Sequence, residues 1–308
     1  MAWKRMIIVA LLCTCCFAAC AETLEPLDMD SCEPGPAPQD ASYISDTEYQ
    51  DESISVKLYS GRYAQTDYVC AHVKISHPSQ LRTATSNSSF RDTSEGTTRG
   101  RIIAEKVNAV VAINGDYFIK TDKCQVVLRQ SQQVRNHADG HMDLLVIDKN
   151  GDFSALPQCT KDEYKEYMRL HEYEMYNVFC FGPVLVQDGV SVIPEDYANG
   201  YVGAKNDTQR SAIAQLGPLE YLLITCSGPQ SENNKGLTIY EFAGLCEMMG
   251  KQLNENGCAL AFNLDGGNSA TLVFKTLDAK GNLSYAKVNC PEIERQLSDI
   301  IYFATLVK

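Results

Sequence analysis

The sequence has no basic stripe. Lys and Arg number 27 against 39 Asp and Glu, a formal charge of −12, and no run of cations is available to displace counterions from phosphates. Nucleic acid is excluded as a partner on that ground. Thirteen cysteines include no C-x-x-C pair, so the thiolate spacing of a zinc site is missing. No internal repeat of fixed period occurs. Strands and helices do not follow one another in a βαβ rhythm, which argues for an α+β class: a single domain with a mixed or antiparallel sheet and packed helices.

What is present begins with an export signal. Trp3, Lys4 and Arg5 form a charged start, and residues 6–19 form an apolar core too short to span a bilayer. Two endings compete. Ala19-Cys20-Ala21 gives an A-x-A cleavage site, whereas Phe17-Ala18-Ala19-Cys20 resembles a bacterial lipobox with Cys20 acylated. The anchor is the preferred reading, so residues 1–21 are a lipoprotein-like signal and the mature chain is exported, as a cell-surface lipoprotein or secreted. The membrane enters only through this anchor. Residues 22–53 hold acids, Pro26, Pro34, Pro36 and Pro38, and no Lys or Arg, which reads as a solvated tether. The folded domain is then 54–308. Export permits disulfides, and at least one is expected, although Cys70, Cys226 and Cys258 sit inside apolar strand patterns that suit packed thiols.

Chemistry concentrates at two strand ends. Residues 258–264 are a continuous apolar run that breaks into Asp265-Gly266-Gly267-Asn268-Ser269. Such a run bounded by turn residues fits a strand covered on both faces, and two glycines after an acid admit a ligand to the backbone. An Asx turn closing a hairpin is the plain alternative. Residues 109–113 repeat the arrangement, ending in Asn114-Gly115-Asp116. Ahead of the first of these strands lies the best-defined helix. Thr238 and Glu241 make a capping box, and Phe242, Leu245, Cys246, Met249 and Leu253 form a core-facing stripe.

Five stretches together resemble a known family. AINGDYF (112–118), FGPVLVQDG (181–189), RSAIAQLG (210–217), GLTIYEFA (236–243) and NLDGGNSATLVF (263–274) are similar, in order, to the phosphodiester glycosidase domain. Two positions depart from its pattern: Gln209 stands where the family usually has Pro, and Asn268 where it usually has Gly or Ser. The resemblance implies hydrolysis of a sugar-1-phosphodiester, of the N-acetylglucosamine-1-phosphodiester kind, at the anomeric carbon. Such a reaction needs a carboxylate and a cation to hold the departing phosphate. On this reading Asp265, Asp116 and Arg210 are catalytic. Asn114, Gly115, Gly182, Gly266, Gly267, Asn268 and Ser269 contact the substrate, a glycan or glycosyl phosphate.

The string His137-x-Asp139-x-His141-x-Asp143 invites a metal reading, but Gly140 and polar neighbours suit a surface turn. No cofactor is expected; a divalent cation on the carboxylates of Asp116 or Asp265 is the arrangement left open. A metal-dependent phosphoesterase and a non-catalytic binder of glycosyl-phosphate polymers are the competing classes. The location reading has a direct check. Mass spectrometry of the mature N-terminus should find a diacylglyceryl-Cys20, and an unmodified start at Glu22 would overturn the anchor.

Overall fold

The computed structural model describes residues 24–87, 89–90, 96–118, 125–197, 202–290 and 293–308. The signal read in residues 1–21, Cys20 included, lies outside them, as does Cys124. Ten elements carry the argument. The strands are β1 (Val111–Asn114), β2 (Val126–Arg129), β3 (Met175–Phe181), β4 (Arg210–Gly217), β5 (Leu260–Asn263), β6 (Leu272–Leu277) and β7 (Asp299–Phe303). The helices are α1 (Gly100–Lys106), α2 (Lys161–His171) and α3 (Ile239–Leu253).

Alternation decides how these strands pack. In β1, Val111 and Ile113 face one hydrophobic cluster while Ala112 faces another. In β7, Ile301 and Phe303 join the first and Ile300 and Tyr302 the second. The period of two is that of a pleated strand buried on both faces. A sheet of five strands results, ordered Leu283–Lys287, β6, β1, β7, Leu81–Thr85, with Ile103 and Ala104 of α1 covering one face. A second five-stranded sheet holds β3 beside β2; Phe179 and Phe181 point to the shared core, and Val178 and Cys180 to a smaller cluster under Tyr164 of α2. A nine-stranded sheet contains β4 between Glu220–Cys226 and β5. Every named pairing within these sheets is antiparallel. The largest cluster draws residues from all three sheets, so the described chain is one α+β domain.

Helix α3 closes the nine-stranded sheet from outside. Its capping box forms as expected: Glu241 N donates to Thr238 Oγ1 (3.2 Å) and Thr238 N to Glu241 Oε2 (2.9 Å). Phe242, Leu245, Cys246 and Met249 are fully buried, each large apolar side chain contributing about 1.5–3 kcal/mol. Glu241 is thus a cap.

Several boundaries move. The segment 179–186, which reads as one interrupted strand, is divided between two sheets: β3 ends at Phe181, and Val184–Gln187 pairs with β5 in the nine-stranded sheet. Gly182, at φ +86°, and the cis Gly182–Pro183 peptide make the crossing. Helix α2 stops at His171, because the apolar residues from Met175 onward belong to β3. Cys32, Cys70, Cys159, Cys226, Cys246 and Cys258 are thiols without a bridge; Cys70 and Cys226 are packed in strands, Cys246 in α3, and Cys159 and Cys258 in buried connecting segments, as side chains of that size and polarity pack.

The larger correction concerns residues 24–53, read from composition as a tether. Tyr43–Ser45 and Glu48–Gln50 extend the nine-stranded sheet, and Tyr49 is fully buried. Arg82, itself buried, donates to the carbonyls of Asp28, Ser31 and Glu33. A single domain-side cation thereby supplies the bonds that a segment lacking Lys and Arg cannot make for itself. Tyr49→Ala should therefore cost about 3 kcal/mol or more in a urea titration, and deletion of residues 24–50 should lower the melting temperature sharply. An unchanged midpoint in both would restore the tether.

Candidate active site

Antiparallel pairing brings four strand ends to one place. Asn114 at the end of β1 stands opposite Ile300 of β7, and Asn263 at the end of β5 stands opposite Ala212 of β4. The chain after β1 and after β5 thus emerges beside the starts of β7 and β4. Asn114 ties the ends together. Its amide nitrogen donates to the carbonyls of Asp265 (2.7 Å) and Gly115 (3.1 Å), and its oxygen accepts from Ser211 Oγ (2.8 Å) and Thr271 N (3.0 Å). With all of these bonds made inside the protein, Asn114 holds the Asp265 turn in place and has little left for a sugar hydroxyl.

Asp265 itself is half-buried. Its N–H donates to Gly115 O (3.2 Å). Burial pushes its carboxyl up to about 6, against the pull of the Ser269 hydroxyl and the Arg295 charge, while the negative charge of Asp116 adds to the rise. A carboxyl so placed is ionised at neutral pH yet binds a proton readily, the combination general acid–base work requires. The glycines behind it are there for clearance. A Cβ on Gly266 would sit 2.8 Å from Gln209 O, and Gly267 takes φ +56° to donate to that same carbonyl (2.8 Å). Asn268 is exposed at the tip and Ser269 buried beneath it.

Asp116 has a different setting. One oxygen accepts from Arg129 Nη2 (2.6 Å) and the other from Cys180 N (2.7 Å), and the side chain is wholly enclosed. Arg129 also reaches Asp299 (3.4 Å), donates to Val178 O and lies 4.0 Å from the centre of the Phe179 ring. Asp299 is buried at the start of β7, and its carboxyl occupies the space a Cβ on Gly115 would need. Burial, and next the charge of Asp116, push Asp299 up to about 6. Gly115 therefore serves the packing of a carboxylate.

Arg210 points elsewhere. Its guanidinium donates to the carbonyls of Leu237 (3.1 Å), Val202 (2.9 Å), Gly203 (2.9 Å) and Asn206 (2.9 Å), and burial lowers its affinity for the proton to about 10. It fixes the segment ahead of β4. The cation at the site is Arg295, which the sequence reading missed. Its side chain is exposed, donating to Ser269 Oγ (3.1 Å) and Tyr117 Oη (3.0 Å). Tyr117 takes φ +76°, rare for a bulky residue and a mark of a functional turn. Gly182 lies apart, spaced against Asp143 (2.7 Å for an added Cβ) where the chain changes sheets.

The His137–Asp143 string is split. Asp143 is buried, accepting from Gln158 N (2.9 Å) and Val184 N (3.0 Å), while Asp139 closes a surface turn with His141 N (3.0 Å). Among the described residues no three His, Cys, Asp or Glu are grouped to hold a metal ion.

The antiparallel α+β scaffold thus presents a half-buried carboxyl, Asp265, near an exposed arginine, Arg295. The family model for phosphodiester glycosidases matches residues 107–304, and the chain belongs to that family, a glycosidase-type hydrolase. Among solved structures, the zebrafish N-acetylglucosamine-1-phosphodiester alpha-N-acetylglucosaminidase catalytic domain, auto-inhibited by its pro-peptide, is similar with a TM-score of 0.62 at 15% identity, over 85% of this chain and 86% of that one. A hypothetical protein from Synechocystis gives 0.51 at 15% identity, over 82% of this chain and 62% of that one. No curated protein matches.

The raised carboxyls bear on stability. A carboxyl that binds its proton more tightly folded than unfolded stabilises the fold as pH falls through its folded value. For Asp299 that window runs from about 6 down towards the ordinary 3.8. Urea midpoints of Asp299→Asn should therefore change less between pH 7.5 and pH 5 than those of the unaltered protein. Parallel curves would mean that Asp299 does not take up a proton on folding in that range.

Proposed function

We propose that the protein hydrolyses a glycosyl-1-phosphodiester at the anomeric carbon, releasing free sugar and a phosphomonoester. The observation that carries this reading is the pairing of a half-buried Asp265, pushed up to about 6, with Arg295 across Ser269. The Asp265 carboxylate takes a proton from water, the resulting hydroxide attacks C1, and the C1–O electron pair leaves with the phosphate. Arg295 has a planar fork suited to phosphate oxygens and steadies the charge that accumulates there. A phosphomonoester leaves without strong acid assistance, so a second proton donor is dispensable. Asp116 acts as a fixed charge behind the site and raises the basicity of Asp265. Arg210 acts through the loop it ties down.

One open carboxylate also bears on stereochemistry. Retention requires a nucleophile and a second group to activate water. With Asp116 committed on both oxygens, inversion follows. Residues 1–21 support a site of action outside the cytoplasm, on cell-surface or extracellular glycans.

The test is a screen of glycosyl-1-phosphodiesters with products identified by NMR. Free sugar of inverted configuration is expected, and sugar phosphate would instead mean P–O cleavage by a phosphoesterase. Binding without turnover of any member would mean a binder. Asp265→Asn should lower kcat by a factor on the order of 10² or more, and kcat of the unaltered enzyme should fall as pH drops below about 6, where Asp265 takes up its proton. Arg295→Ala should hurt phosphodiesters most and spare a neutral phenyl glycoside.

A further inference from the structure

The Asp265 turn is linked through hydrogen bonds to a second, open and mostly polar cavity. Gln209 is fully buried, and its amide nitrogen reaches Asn268 Oδ1 (3.4 Å) on the turn and Gln230 Oε1 (3.3 Å) on the following loop. The loop is fitted to this residue: a Cβ on Gly228 would lie 2.5 Å from Gln209 Cγ. Gln209 Oε1 is buried and accepts no hydrogen bond among the described residues, a costly state for an amide oxygen unless a donor arrives.

Beyond Gln230 the cavity has a volume of about 510 Å³, within the size range of small-molecule sites, and its wall includes Gln65, Gln230, Ser231 and Asn233 with Arg62 and Lys235. Its cations are occupied. Arg62 pairs with Asp67 (2.5 Å) and caps the carbonyls of Gln65 and Asn233; Lys235 pairs with Asp207 (3.3 Å) and Glu241 (3.0 Å). Glu232 adds a negative charge to the rim. A phosphate finds no unpaired cation in this wall, and the apolar part of the lining, Pro229 included, is the smaller part and lies open to solvent. Side-chain amides remain, and each offers both a donor and an acceptor. That is the complement of a hydroxyl, which both donates and accepts.

From this arrangement we infer that the cavity formed by the 229–235 loop is a subsite for a neutral sugar unit joined to the reacting one, connected to the Asp265 turn through Gln209 and Asn268. The inference rests on the glycosidase reading and narrows its substrate to an oligosaccharide or glycan, with a phosphodiester at one unit and an uncharged unit beside it. Gln230 would engage the distal unit, while Gln209 keeps the two sites in register.

Two measurements test it separately from the proposed reaction. First, kcat/KM is compared for a methyl-capped glycosyl-1-phosphodiester and for the same unit extended by a neutral disaccharide. Gln230→Ala should raise KM roughly tenfold for the extended compound, the worth of about one hydrogen bond to a well-held group, and leave the capped compound within about twofold. Equal effects on both would overturn the subsite. Second, calorimetric titration of Asp265→Asn with chito- and malto-oligosaccharides of two to four units needs no turnover. Saturable binding weakened by Gln230→Ala supports the subsite even if no phosphodiester is cleaved. Absence of saturable binding by either series overturns it even if hydrolysis is found.

Discussion

Two carboxylates share one guanidinium at the centre of this molecule, with exposures of 0–3% for all three side chains. Removing one partner from such a group strands a buried charge and costs about 3–5 kcal/mol, whereas the intact group adds little net stability. The cluster is therefore better understood by what it positions. Arg129 brings β2 and β3 against the turn after β1, because it also holds Val178 O and packs on Phe179. Asp299 fastens the start of β7 beneath Gly115, whose missing side chain makes the approach possible. Asp116 is then fixed from two sides, and the next residue, Tyr117, is held in its uncommon conformation facing Arg295.

From that anchor the site divides into closed and open halves. The closed half spends every strong donor on the protein: Asn114 on the Asp265 turn, Arg129 on two acids, Arg210 on four carbonyls. The open half consists of Asp265 and Arg295, bridged by the buried Ser269. Rigid surroundings and one accessible acid give the geometry preorganisation requires, since nothing in the closed half must rearrange when charge develops. Burial keeps Asp265 basic, and the negative charge of Asp116 adds to this through space.

Much of this was legible in the chain. The 109–116 and 258–269 stretches announce buried strands ending in acid–glycine turns, and the Thr238–Glu241 box announces α3, because both signals are local. Arg295 was not legible: it sits in a polar segment whose position depends on Lys287 holding the carbonyls of Cys290 and Ile293, and on Glu294 pairing with Arg101 (3.1 Å). The Arg101 pairing joins residues far apart in the chain, and none of these bonds leaves a periodic signature. Arg210 misled for the opposite reason. It occupies a strongly patterned strand start, and a fork that suits phosphate suits backbone carbonyls as well. Residues 24–53 misled because composition is an average, and the tyrosines that bind the segment to the domain, Tyr49 and Tyr43 (5.4 Å from the Phe274 ring), are a small part of it.

Net charge and local charge also pull in opposite directions at this site. A protein of charge −12 repels an anionic substrate at long range, but at physiological ionic strength that field decays over about 8 Å. Within that distance the exposed Arg295 stands beside Glu294, whose charge is already met by Arg99 (3.6 Å) and Arg101 (3.1 Å), and on the proposed reading it offsets the charge of one phosphodiester. A polymer with a phosphate on every unit would bring its neighbouring charges against Asp265, Glu232 and the acidic surface, with no unpaired cation in the adjoining cavity wall to receive them. A glycan with a single phosphodiester and neutral units beside it meets no such repulsion. On the proposed reading, the amide-rich wall of the cavity formed by the 229–235 loop suits that sparsely charged substrate.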